Sequence, residues 1–88
     1  MSEKPLTQDQ IAVLVELKIK ARGSLKAHVP KHAILAHFRK DFRGYAGEAL
    51  EQLVRLGCVV KHPTRGEMTY SLTLEGIRRL EELGLFPF

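Results

Sequence analysis

The feature that most limits what this chain can fold into lies between Leu50 and Ile77, where the hydrophobic period changes from helical to extended and back again. Ala46, Ala49, Leu50, Leu53 and Leu56 recur at three and four residues, the spacing of one helix face, and the run stops at Gly57. Val59-Val60 and Tyr70-Ser71-Leu72 then flank a polar turn around Arg65 and Gly66, which predicts a hairpin. Its strands are expected over Val59 to His62 and Met68 to Leu72, with 63–67 at the tip. Leu72-Thr73 opens a further helix, with Thr73 as its N-cap and Leu72 placed to staple against Ile77.

The 88 residues make one domain, which buries only about 60–65% of the surface its unfolded form exposes. One modest core is all that such a chain can build. At 44% hydrophobic and 27% charged residues, the composition is neither disordered nor membrane-spanning. The longest apolar run, Ile11 to Val15, is too short for a bilayer, and residues 1–5 lack a signal-peptide core, so a cytoplasmic protein is expected. The single cysteine, Cys58, forms no internal disulfide and reads as a small core residue. Asparagine is absent, as heat-adapted proteins favour.

The first half supplies two more helices. Thr7 and Gln10 form a capping box and Leu6 a staple to Ile11, starting a helix that should end near Arg22, at Gly23. Its apolar residues divide into two arcs: Val13, Leu14, Leu17 and Ala21 on one, and Ile11, Val15 and Ile19 on the other. One arc fits the core. The other, with the apolar tail Leu85-Phe86-Pro87-Phe88, points to a homodimer built from the first helix and the C-terminal helix or tail. Ser24 to Val29 reads as a loop and short strand, and Pro30 starts a short helix carrying Ile34, Leu35 and Phe38. A turn over 39–44 buries Phe42, and a third helix is expected over Tyr45 to Leu56. In the last helix, Leu74, Ile77, Leu80 and Leu83 are expected to face inward, with Glu75–Arg79 and Arg78–Glu82 as surface pairs.

Taken in this order, the chain from Leu6 to Gly84 resembles the winged helix-turn-helix superfamily, and within it the small prokaryotic and archaeal transcription regulators. The resemblance implies a mainly α fold with a small β-hairpin wing, ordered α-β-α-α-β-β-α, as a single domain over residues 1–88 with its core in 6–84. It further implies double-stranded DNA as the partner, with helix 45–56 in the major groove and wing 59–72 on the backbone or in the minor groove.

Charge agrees with that partner. The net charge is +4, and residues 24–43, with five basic and one acidic side chain, carry a surplus of the same size. Concentrated positive charge attracts phosphates. The residues expected at DNA are Lys31, Arg39, Lys40 and Arg43 around the turn, Gly44, Tyr45, Gln52 and Arg55 on the third helix, and Lys61 and Arg65 in the wing. Gln52 can pair with adenine, Arg55 with guanine or phosphate, and Glu48 can accept from cytosine, while Gly44 and Gly47 let backbone amides approach phosphate. Glu48 and Glu51 oppose this, because carboxylates repel the DNA backbone. That acidity leaves a winged-helix protein-interaction adaptor as the alternative.

An enzyme is not expected. Asp9 and Asp41 stand at unrelated places, and no phosphate loop or nucleophile with a base is present. His28 and His32 are four apart with His37 nearby, but Pro30 separates the first two and no cysteine pair accompanies them. The histidines read as phosphate neighbours, and neither a metal nor a cofactor is implied.

Overall fold

A computed structural model describes residues 4–86. The described chain is mixed α/β, with four helices and a three-stranded antiparallel sheet. The elements are α1 (Gln8–Ala21), β1 (Val29–Pro30), α2 (Lys31–Ala36), a short 3-10 turn (Lys40–Phe42), α3 (Arg43–Arg55), β2 (Val59–Thr64), β3 (Glu67–Leu72) and α4 (Leu74–Glu82). In the sheet, β3 lies between β1 and β2.

Local signals set the helix starts. At α1 the Thr7 hydroxyl accepts from the Gln10 amide at 3.2 Å while the Gln10 side chain accepts from the Thr7 amide at 3.0 Å, the expected capping box. The helix ends with Arg22 and Gly23 both at positive φ, and Gly23 N–H donates to the Lys18 carbonyl at 3.0 Å. Of its two apolar arcs, Val13, Leu14, Leu17 and Ala21 are buried, whereas Ile19 on the other arc is 49% exposed. Between α2 and α3, the 3-10 turn runs straight into helix, so α3 starts at Arg43, two residues before the expected Tyr45. Leu56 falls just past its end and is exposed, which corrects its assignment to the core.

The hairpin is longer and its loop tighter than expected. Pairing of β2 with β3 continues to Thr64↔Glu67, leaving only Arg65 and Gly66 between the strands, with Gly66 at φ 83°. Only glycine takes that conformation without steric cost. Pro63 lies opposite Met68 within the ladder; as a member of an edge strand it leaves no central donor missing.

Where β3 passes into α4, hydrogen bonds to both neighbouring elements meet at Thr73. Thr73 Oγ1 accepts from the Gly76 amide at 3.0 Å and donates to the Gly57 carbonyl at 2.6 Å, while the Thr73 amide donates to the Cys58 carbonyl at 3.2 Å. The first turn of α4 therefore lies directly on the start of β2. A Cβ at Gly76 would stand 2.3 Å from the Cys58 carbonyl oxygen, so no other residue fits. This contact fixes the buried face of α4 as Gly76, Arg79 and Leu80. Leu74, two residues before Gly76 and about 200° around the helix, is turned to solvent and 74% exposed. Leu83, at the helix end, is 47% exposed, so two of the four leucine and isoleucine positions expected inside α4 lie outside the core. Arg79 is buried instead, donating to the Lys4 carbonyl at 3.1 Å.

The described part of the tail folds back on the domain. Leu85 N–H donates to the Leu80 carbonyl at 2.8 Å, Lys18 Nζ donates to the Leu85 carbonyl at 2.5 Å, and the Phe86 ring covers Gly23. Leu85 and Phe86 thus pack on the protein's own core, and Pro87 and Phe88 lie outside the described residues. Burial pushes the Lys18 ammonium below its ordinary pKa.

Replacing Gly76 with alanine is expected to lower stability by about 3 kcal/mol, the upper end of overpacking costs, and Thr73→Ala by about 1–2 kcal/mol. Urea unfolding measures both. An unchanged midpoint for Gly76→Ala would contradict the close approach of α4 to Cys58.

Candidate nucleic-acid interface

The elements expected to meet nucleic acid are α2, the turn after it, α3 and the hairpin. Their side chains divide into those that hold the elements together and those left facing solvent. Arg43 belongs to the first set. Its guanidinium donates to the carbonyls of Leu35 at 3.1 Å, Phe38 at 3.0 Å and Ala36 at 3.5 Å, capping the carbonyl end of α2. A positive group there also complements the helix dipole. Gln52 joins the same set. Its side-chain carbonyl accepts from Gln10 Nε2 at 2.8 Å, so it is turned toward α1 and not onto an open stripe. Arg43 and Gln52, both expected at DNA, are placed as structural ties.

The remaining expected residues are more open, except Lys61, which is tied to Glu51. Tyr45 is 62% exposed, and a Cβ at Gly44 would meet nothing within 4 Å. Lys31 is half-buried at the start of α2, with its Cε near Gly47 of α3. Arg39 and Lys40 are exposed in the turn, where Arg39 Nε lies 3.5 Å from Asp41 Oδ1, a pair too solvated to hold it firmly. Arg55 is exposed at the end of α3, and Arg65 at the tip of the hairpin. Glu48, an acidic side chain, is exposed among them.

Glu51 has a role that the sequence pattern did not disclose. Lys61 Nζ donates to its Oε1 at 2.7 Å and Tyr70 Oη donates to its Oε2 at 3.0 Å. Lys61 and Tyr70 are directly opposite in the β2–β3 register, so one carboxylate of α3 joins both strands of the hairpin. The Lys61 hydrogen bond holds the Glu51 carboxyl below its ordinary pKa against the opposing effect of burial, and Tyr70 adds to the lowering. Burial, and then the hydrogen bond to Glu51, pushes the Tyr70 hydroxyl up to about 12. A second tie crosses from α2 to β3, where the His32 ring contacts the Glu67 carboxylate and lowers its pKa. No sequence periodicity links positions ten and nineteen residues away from Glu51. The alternation of Lys61 and Tyr70 onto one sheet face was the sole available clue.

Two of the four histidines pair with each other, and the other two stand apart. His28 stacks on His62 with centroids 4.0 Å apart and rings 11° from parallel, over the sheet face that carries Ser71. His37 Nδ1 lies 3.3 Å from an oxygen of Glu16, a carboxylate almost wholly buried on α1. Among the described residues, no three His, Cys, Asp or Glu side chains come together as a metal-holding group. None of the described helices is long and apolar enough to cross a membrane. Compared with protein-family models, with curated proteins and with solved structures, the chain finds no match in any of the three.

The Glu51 contacts give stability a pH dependence of known sign. Tyr70 titrates higher in the folded protein than the ordinary 10.0, so its contribution is whole below that pH and is lost as pH rises toward about 12. Glu51 titrates lower than the ordinary 4.5, so its contribution is present above that value and is lost as pH falls below it. Urea midpoints measured across both ranges should fall at each end for the wild type. Tyr70→Phe should flatten the alkaline limb and Glu51→Gln the acid limb; curves parallel to the wild type would remove this account.

Proposed function

We propose that the chain is a DNA-binding protein of the winged helix-turn-helix type, a transcription regulator in which α3 enters the major groove and the hairpin acts as the wing. The observation that carries the reading is the double tie of the hairpin to the helices, Glu51 to Lys61 and Tyr70, and His32 to Glu67. A wing whose angle to the recognition helix is already fixed contributes more to DNA binding, because a loose hairpin pays ordering entropy on contact. Pairing with Lys61 also removes much of the repulsion that Glu51 would exert on phosphate.

The phosphate contacts fall to Lys31, Arg39, Lys40 and Arg65, with Arg55 on the groove side of α3. Gly44 and Tyr45 supply the open first turn where backbone amides and a ring approach the duplex. Since Gln52 is held by Gln10, base reading by that residue is not part of this proposal. The assembly we propose is a homodimer through the outer arc of α1. Ile11 and Val15 are half-buried and Ile19 is 49% exposed on that arc, which supports a second copy covering it. Light scattering at high concentration tests it: a strictly monomeric mass would rule the dimer out.

Binding to a generic duplex across a salt series tests the function. Affinity should fall steeply with salt, and neutralising Arg39, Lys40 or Arg65 singly should lower the slope by about one with nearly equal weakening on all sequences. No binding at low salt would replace this reading with the protein-interaction adaptor.

A further inference from the structure

On the side of α3 where the 3-10 turn enters, the surface opens into a cavity of about 370 Å³ lined by His37, Phe38, Arg39, Asp41 and Phe42. That volume is at the small end of ligand pockets, which run from about 300 to 1,000 Å³, and suits a single heterocycle. Its rings form a series. Phe38 and Phe42 have centroids 5.3 Å apart, and Tyr45, 6.0 Å from Phe42 and 62% exposed, stands next to this lining at the cavity's edge. At the other end His37 stands edge-on to Phe38 at 5.0 Å.

Two further features give this cavity a chemistry. The Nδ1 edge of His37 is turned toward Glu16, which is only 3% exposed, so Nε2 points away from the helix and is available to a hydrogen-bonding edge. A buried carboxylate is costly, and this one is also only 3.7 Å from Lys20 Nζ, an arrangement that holds the imidazole at the lip. Arg39 and Lys40 stand exposed beside the rings, within the segment that carries the chain's positive surplus.

Aromatic faces for stacking, cations for phosphate and polar edges for hydrogen bonds together define the ligand. Resting on the DNA-binding reading, we propose that this cavity receives one unpaired nucleobase displaced from the duplex beside α3. The base stacks on Tyr45 and Phe42, Arg39 and Lys40 hold the flanking phosphates, and Asp41 and His37 meet its polar edge. Every base has a π face, so the pocket selects an unstacked base and not a sequence. An acidic peptide would match the cations, but it would leave the ring faces and the polar edges without partners.

The test compares two duplexes of one sequence, one fully paired and one carrying a single bulged 2-aminopurine, titrated with the full chain at low salt. The bulged duplex should bind about tenfold more tightly, within the range that base–aromatic stacking supplies, with quenching of the 2-aminopurine fluorescence. Tyr45→Ala should bring the ratio of the two affinities close to one, and Tyr45→Phe, which keeps the ring, should restore it. Tyr45 is mostly exposed, so circular dichroism should report both variants folded. A ratio near one for the wild type, or a ratio unchanged in Tyr45→Ala, overturns the base pocket and leaves duplex binding standing. Absence of binding to either duplex overturns both.

Discussion

The Glu51 carboxylate is the contact on which the candidate interface depends. Helix α3 and the hairpin are joined in sequence only by the short link through Gly57 and Cys58, which by itself sets no angle between them. Two hydrogen bonds from cross-strand partners, one charged and one from a ring that is 1% exposed, convert that link into a fixed junction. The low local dielectric around Tyr70 strengthens these bonds and makes the loss of either partner costly, since the other would be left half-buried without its counterpart. Leu50 and Leu53 complete the junction below, packed in the same cluster as Val59 and Leu72.

The base of the hairpin, where β3 passes into α4, depends on space, not on charge. Gly76 admits the Cys58 carbonyl, and Thr73 uses both its donor and its acceptor to close the angle between β3 and α4. A domain of this size has one core, with α1 as its central element, and Val13, Leu14 and Leu17 are wholly buried there. The tail is bound to that same helix through Lys18 and Phe86. Leu85 and Phe86 are thus used to finish the fold.

The same economy shapes the surface. Arg43 and Gln52 have the chemistry of DNA contacts, but each satisfies an internal group first, the carbonyl end of α2 and the amide of Gln10. Buried polar groups must be paired, and a side chain within reach of an orphan carbonyl is drawn to it. What stays open beside α3 is aromatic and cationic together, Tyr45 with Arg39 and Lys40. Charge and rings on one surface are what the proposed nucleic-acid partner would meet.

Most of the element order was legible in the sequence, because the signals were local. The Thr7–Gln10 box and the Thr73 cap act over three residues, Gly23, Gly57 and Gly66 take positive φ where their positions predicted a stop or a turn, and the apolar runs at Val59 and Tyr70 marked the two strands of the hairpin. The exposed Tyr45, Arg39, Lys40 and Arg65 were legible too, since a polar turn or helix edge needs no tertiary information to be placed outside. What tertiary structure alone decided was which face of each helix wins when the pattern allows two. Leu74 and Leu83 lost the core of α4 to Gly76 and Arg79 because the approach to Cys58 fixed the helix's rotation. Glu51, Gln52 and Arg43 found partners on other elements, and such hydrogen bonds, between residues five to forty-two apart, leave no period in a sequence.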